Sequence, residues 1–424
     1  MSHKSGGTNL RHYDVAVVGA GPAGCRAARL IAGAGFRVIV LEEHERIGEP
    51  LQCSGLISPR TLELSGYEGE LRHPLHGFNL HSPAGHTLGF QTNKTYAVAV
   101  DRVALDRQLA EAARSAGAEL ITGARVKGLE DAGDGVIVHA GGRKVKARLV
   151  IAADGARSRI ARQLGLYPRE VVAMAAAEIE LGRGSRAREE VVELFLGEDF
   201  APGWFGWLFP TGKGRARIGI GVGRKGSSPR RCLDELLKRY PEYFREAKIL
   251  RYTGGCVPIG PPPRIFAERV MLLGDAAAQV KPISGGGLYL GLHAAGHCAR
   301  AAVRALERDD CSAASLASYQ EAWEAEFGPA LKSDLVLREL FLSLNDTKAD
   351  YLTRFFDNDF WRRFIARYAD IDYPSVLVKK ILGTGLLPRK FFKLALSLGG
   401  FIGRMVDRAE NRCLLPLLEG AGKN

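Results

Sequence analysis

The chain lacks the spacings that mark common metal and redox scaffolds. Its seven cysteines, at 25, 53, 232, 256, 298, 311 and 413, are odd in number, far apart and never paired as CxxC. That argues against a disulfide framework and against a zinc or iron–sulfur centre, so no metal is expected. It points instead to a reducing compartment, the cytoplasm. No run is both long and apolar enough to span a bilayer: the longest uncharged stretch, 282–299, carries five glycines and two histidines and reads as a buried loop and helix. The first dozen residues are polar with no apolar signal core, so residues 1–11 are expected to be a disordered tail. No internal repeat is present. The net charge of +12 has no zinc-finger spacing or base-stacking aromatic motif beside it, which excludes a nucleic-acid reading. An anionic lipid surface, a phosphorylated substrate or an acidic protein carrier would each suit that charge.

What is present begins with a strand running into a glycine turn, Tyr13 to Val18 and then Gly19-Ala20-Gly21-Pro22-Ala23-Gly24. Gly19 permits the tight turn, Gly21 lets backbone N–H groups approach a pyrophosphate, and Gly24 lets the next helix pack on the strand. The next apolar run closes on Glu42, near the roughly 20-residue separation at which a carboxylate meets ribose hydroxyls. Strand, glycines, helix and acid together predict an adenine dinucleotide site.

The length allows two or three domains. Strands are predicted at 13–18 and 36–41 around a helix from Pro22 to about Ala32, then at 76–82 and 86–91. Asp101 is a helix N-cap, a hairpin is predicted at 135–147 with its turn at Gly141-Gly142, and a buried strand follows at 149–153. Segments 190–195 and 217–222 alternate as in an antiparallel sheet, whereas Val270–Leu273 returns to the buried style of the first strands. The expected fold is therefore α/β: a discontinuous dinucleotide domain (12–75, 100–165, 255–325), an inserted antiparallel-sheet substrate domain (76–99, 166–254), and a helical region over 326–424.

Three more segments favour FAD over a nicotinamide. Gly274-Asp275 ends a buried strand with a carboxylate suited to ribityl hydroxyls. Pro282-Ile283-Ser284-Gly285-Gly286-Gly287-Leu288 opens a helix whose N-terminus suits an anionic reduced ring. Asp154-Gly155 forms the third turn. No second GxGxxG is visible for NADPH.

This set of motifs resembles the flavoprotein group that includes p-hydroxybenzoate hydroxylase. Within it, the chain is similar to the geranylgeranyl reductase family, whose archaeal members saturate isoprenoid chains of ether lipids. Gln52-Cys53-Ser54-Gly55 matches that family's cysteine loop, and Pro202-Gly203-Trp204-Phe205-Gly206-Trp207-Leu208-Phe209-Pro210 is similar to its PxxYxWxFP motif, with Phe205 in place of Tyr. The resemblance covers about residues 12–330. It implies FAD contacts at Ala23, Glu42, Cys53, Ser54, Gly55, Arg102, Val126, Asp275, Gly287 and Leu288, beside the glycines 19, 21, 24, 274, 285 and 286 and Asp154. It also implies a substrate wall of Pro202, Trp204, Phe205, Trp207, Phe209 and Pro210.

The implied chemistry is hydride transfer from reduced flavin N5 to a polyprenyl alkene. Positive charge would develop at the tertiary carbon, and aromatic faces stabilise such charge. Cys53 is the candidate catalytic side chain, and the general acid lies between its thiol and a water. Electrons would come from an external reductant, a ferredoxin-like carrier or NAD(P)H. Lys379, Lys380, Arg389, Lys390, Lys393, Arg404 and Arg408, interleaved with Leu and Phe, suit peripheral contact with the cytoplasmic membrane face. Two alternatives share the framework: an FAD-dependent aromatic monooxygenase, and a flavin electron carrier docking on a membrane complex.

Overall fold

A computed structural model describes residues 10–223 and 227–386. Most of the expected tail and the basic residues beyond Leu386 lie outside that range.

The first strand, Arg11–Val18, is central to an eight-stranded sheet. It pairs in parallel with Val38–Leu41 on one side and Arg143–Ala152 on the other, and Glu119–Ile121 and Val270–Leu272 extend the parallel set outward. Val15, Ala16, Val17, Ile39, Val40, Val150 and Ile151 have no exposed surface. A strand covered on both faces needs an unbroken apolar run, which is why these segments do not alternate. The hairpin and the buried strand read separately at 135–147 and 149–153 share one strand, Arg143–Ala152. Its first half pairs antiparallel with Val136–Ala140 and alternates Lys144, Lys146 and Arg148 outward; its second half is enclosed and wholly apolar.

A seven-stranded sheet stands against this domain, in the order Lys248–Ile259, Glu170–Glu180, Arg215–Val222, Gly206–Gly212, Val191–Phe195, Gly77–His81, Thr87–Gln91. Neighbours are antiparallel except Val191–Phe195 with Gly77–His81. One face buries Ala175, Ala177, Ile179, Leu208, Ile218 and Ile220 under the helix Pro229–Arg239. The other face bears on the site. Lys248–Ile259 is a single strand that runs through Gly254-Gly255, past the boundary expected at 254/255. Ala97–Val100 pairs with Leu56–Ile57 and Arg72–Leu75 in a separate three-stranded sheet rather than with the large one.

From Ala313 onward the described residues form four helices: Ala313–Leu342, Asp346–Phe356, Asp359–Tyr368 and Pro374–Leu382. They are tied back by ion pairs, Arg338 to Glu170, Lys281 to Asp372 and Arg60 to Asp370. Among the described residues no helix is long and apolar enough to cross a membrane.

Candidate functional site

The fingerprint turn makes an open cradle. Gly19 has φ 99°, and a Cβ there would overlap the carbonyl of Ala153, so only glycine passes between the two strand ends. A Cβ on Gly21 would meet nothing within 4 Å, because that side faces an open cleft. The helix Pro22–Gly33 starts at Gly21 with no side-chain cap, and no described residue accepts from the N–H of Ala23 or Gly24. Uncapped N–H groups at an open helix N-terminus are an anion site. Glu42 is anchored beside it: Ala20 N–H donates to Oε2 (2.8 Å), while His44 donates its backbone N–H to Oε1 (3.0 Å) and sets Nδ1 2.7 Å from the same oxygen. Sequence reasoning gave His44 no role.

The second cradle packs on the first. A Cβ on Gly274 would lie 3.2 Å from that of Ala23, and one on Gly291 would lie 3.5 Å from it. This places Asp275 over the helix start. Its carboxylate has no hydrogen bond to any described residue yet keeps accessible surface in the cleft. Burial pushes its pKa up to about 6, against a smaller opposing pull from the Arg102 charge. The helix Leu288–Glu307 begins at Gly287, again without a side-chain cap, and a Cβ on Gly287 would approach Asp275 Oδ1 to 3.0 Å. A partnerless carboxylate between two uncapped helix starts is the arrangement a polyhydroxylated dinucleotide completes.

Arg102 and the Cys53 loop close the third side. Arg102 is buried, and its guanidinium forks onto Asp106 at 2.9–3.2 Å. Burial opposes its charge, but Asp106 and the sulfur of Cys53 outweigh that and raise its pKa. Gly55 has φ 75°, and a Cβ there would overlap Arg217 Nη1. Arg217, reaching over from the large sheet, donates from Nη1 to the carbonyls of Ser54 (2.7 Å) and Val100 (2.8 Å) and from Nε to Glu178 (3.2 Å). It pins the cysteine loop. Its signal was visible as the one charge on the glycine side of Arg217-Ile218-Gly219-Ile220-Gly221, but its target was not. Lys281 is tucked beneath Gly286, where a Cβ would come within 2.7 Å of its Cε, and donates from Nζ to Ile371 O (2.8 Å) and Asp372 (3.2 Å).

Two expected contacts lie beside the cradle with their side chains engaged: Asp154 Cα would come 3.3 Å from a Cβ on Gly19, and Ala124, two residues before Val126, donates its N–H to the Glu42 carbonyl. Asp154 spends both carboxylate oxygens on its own turn, accepting from Ser158 Oγ (2.6 Å) and Arg159 N–H (2.8 Å). Val126 is buried in the core of the eight-stranded sheet, paired with Ala140. No group of three or more His, Cys, Asp or Glu among the described residues is placed to hold a metal ion.

The face of the seven-stranded sheet toward this cleft is a floor of small side chains. Cross-strand register aligns Gly255, Met174 and Gly221 in one row and Thr253, Ala176, Gly219 and Trp207 in the next. The indoles lie on glycines: a Cβ on Gly219 would overlap Trp207 and one on Gly221 would overlap Trp204. Gly285 abuts the aromatic end, where a Cβ on it would lie 3.4 Å from Trp204 Cζ2, and Gly255 abuts Gln52 beside Cys53. The floor therefore spans from the Cys53 loop to the Gly285 turn. Of the six expected wall residues, only Phe205 and Trp207 keep accessible surface. Phe209 is fully buried with Leu75, Ala97 and Val192, because it shares Trp207's side of the strand where the three-stranded sheet covers it. Trp204, Pro202 and Pro210 are sealed behind. Both indole N–H groups are buried without an acceptor among the described residues, which costs about 1–3 kcal/mol each.

The sequence profile of the FAD binding domain family matches residues 12–325. Digeranylgeranylglycerophospholipid reductase 2 of Methanopyrus kandleri is 34% identical over 370 residues, covering 82% of this chain and 91% of its own. The digeranylgeranylglycerophospholipid reductase of Methanocaldococcus jannaschii is 31% identical over 352 residues, covering 80% and 89%. Among solved structures, a geranylgeranyl bacteriochlorophyll reductase-like protein from Thermoplasma acidophilum superposes with a TM-score of 0.79 at 23% identity, over 92% of this chain and 100% of that one. Halogenase PltM, in complex with phloroglucinol and FAD, superposes at 0.65 and 15% identity over 93% and 95%. At these identities the two structures speak for the fold alone.

Proposed function

Because the chain belongs to the FAD binding domain family, and within it to the digeranylgeranylglycerophospholipid reductases, we propose that it is an FAD-dependent reductase saturating the double bonds of geranylgeranyl chains on a glycerophospholipid. One observation carries the reading from a general flavoprotein to this chemistry. The floor beside the cofactor cradle is walled by Phe205 and Trp207 and paved by Met174, Ala176 and Gly255, so it suits a slender apolar chain rather than a substrate that needs polar anchors.

When bound, FAD supplies the hydride from its reduced N5. The chain's own groups divide the rest. The open N–H groups at Ala23 and Gly24 would hold the pyrophosphate, and the uncapped start of the Leu288–Glu307 helix would favour negative charge on the reduced ring. Glu42 and Asp275 would accept from ribose and ribityl hydroxyls. Arg102 holds a fixed positive charge beside Cys53, and the Cys53 loop is kept in place by Arg217. Cys53 Sγ is the side-chain source of the proton that completes saturation. Phe205 and Trp207 exclude water and present ring faces to the positive charge at the tertiary carbon, worth about 0.5–2 kcal/mol each when desolvated.

Electrons reach the site from an external reductant, an acidic ferredoxin-like carrier or NAD(P)H, for which the +12 charge is suited. The lipid reaches it from a bilayer surface. Phe360 and Val376 are exposed on the helices Asp359–Tyr368 and Pro374–Leu382, beside exposed Arg363, Arg367, Lys379 and Lys380. Such a basic aromatic face suits peripheral contact with anionic lipid. The deciding experiment is anaerobic: dithionite-reduced protein is mixed with digeranylgeranylglyceryl phosphate, and flavin reoxidation and lipid mass are followed. Reoxidation with products heavier by successive pairs of hydrogens is expected; a flavin that stays reduced overturns the reading.

A further inference from the structure

We propose that Arg338, beyond the segment that forms the FAD domain, is a positioning residue for alkene reduction. It fixes the orientation of Trp204 and, through Trp204, that of Phe205. This rests on the function proposed above.

Arg338 is 2% exposed on the helix Ala313–Leu342. Its guanidinium is locked in plane by two bonds to Glu170, Nε to Oε2 at 2.9 Å and Nη2 to Oε1 at 2.6 Å. It lies 4.6 Å over the ring of Trp204. The same indole stacks on Phe205, with centroids 5.4 Å apart and planes 11° apart, and Phe205 meets Trp207 edge to face at 6.3 Å. Trp204 is itself 2% exposed and makes no hydrogen bond through Nε1. Directional bonding therefore does not set its rotation. What sets it is the flat guanidinium, the bare backbone of Gly221 and the ring of Phe205. Leu335, one turn earlier on the helix, packs into the same cluster.

The arrangement sorts the aromatic residues by task. Trp204 already carries a cation on its π cloud and has no surface to offer a substrate. Phe205 and Trp207 have that surface and, among the described residues, face no guanidinium. Glu170 matters as well, because an uncompensated guanidinium here would repel the positive charge that the alkene develops. A planar, forked cation meets both needs: it pairs with a carboxylate and stacks on a ring at once.

The test uses the full-length, FAD-loaded protein with Arg338→Met, Arg338→Lys and Gly221→Ala. Each reduced variant is mixed anaerobically with digeranylgeranylglyceryl phosphate, and the saturating rate and half-saturating concentration are measured separately. Arg338→Met is expected to keep its flavin and lose about tenfold in the saturating rate, with a smaller change in half-saturation, since a displaced wall misaligns the alkene rather than excluding it. Arg338→Lys keeps the charge opposite Glu170 but lacks the plane, so it should recover little. Gly221→Ala, whose Cβ would displace the same indole from the backbone side, should reproduce the loss. A wild-type rate in Arg338→Met overturns the proposal, as does full rescue by lysine. Should Arg338→Met fail to retain flavin, the lysine and Gly221→Ala forms decide it by the same criteria. A wild-type flavin that the lipid does not reoxidise overturns the function itself, and this proposal with it.

Discussion

Replacing Asp275 by asparagine should make the flavin-free protein more stable and, at the same time, weaken its hold on FAD. The folded-state pKa of Asp275 is about 6 against an ordinary value of 3.8, with burial as the main cause. A raised carboxyl pKa means the folded protein binds this proton more tightly than the unfolded chain does. Below about pH 4 the group is protonated in both states and makes no difference. Between pH 4 and 6 the unfolded chain releases its proton first, so stability falls as pH rises, and above pH 6 the full penalty persists. A displacement of roughly two pH units corresponds to about 3 kcal/mol, an upper limit because the carboxylate keeps some contact with water. Asp275→Asn flavin-free protein should thus gain up to about 3 kcal/mol at pH 7.5 and nothing at pH 4 in urea unfolding. Its FAD affinity should fall about 10- to 100-fold at pH 7.5, because charge-assisted hydrogen bonds worth about 1.5–3 kcal/mol are lost. Wild-type FAD affinity should rise with pH through 6, since the ionised form is the better acceptor. Superimposable stability curves at both pH values, or an FAD affinity flat from pH 5 to 8, would refute the reasoning.

Gly219→Ala forces Trp207 off its glycine shelf. Stability should fall by about 1–3 kcal/mol by thermal unfolding while the yellow spectrum persists and turnover of the lipid drops. Arg217→Met releases the carbonyls of Ser54 and Val100 and should cost about 2–4 kcal/mol while speeding flavin loss on gel filtration. Cys53→Ala should keep the flavin spectrum and slow lipid saturation by about 100-fold, as loss of a proton donor does; an unchanged rate would move that role to water. The combined change of Arg363, Arg367, Lys379 and Lys380 to Glu should abolish co-sedimentation with anionic but not neutral vesicles, without altering turnover of detergent-dispersed lipid.

The parts of the fold that were legible are those whose cause is local. Val15–Val18 and Val38–Leu41 read correctly as buried strands because enclosure on both faces demands a continuous apolar run. Asp101 read correctly as a cap, because its carboxylate needs only the N–H groups of Val103 and Ala104. Gly141-Gly142 read correctly as a turn, since both residues take positive φ. A strand limit failed where the neighbour changed midway, as along Arg143–Ala152. The site divided in the same way. The glycines and Asp275 announce themselves because phosphate and hydroxyl recognition constrains a few consecutive residues. Arg217, Lys281 and Arg338 do not, because each acts on a partner far along the chain, and a buried arginine looks the same in sequence as a solvated one.

By itself the sequence determined that a dinucleotide cradle exists, where its three turns lie, and that an aromatic segment accompanies them, since each depends on residues a few positions apart. Only the tertiary structure decided which rings face the cleft. Phe209 and Trp207 share one side of a strand, yet a second sheet covers the first and leaves the second open. It also decided that Asp154 serves its own turn while Asp275 is left without a partner, because that distinction rests on what other segments bring to each carboxylate.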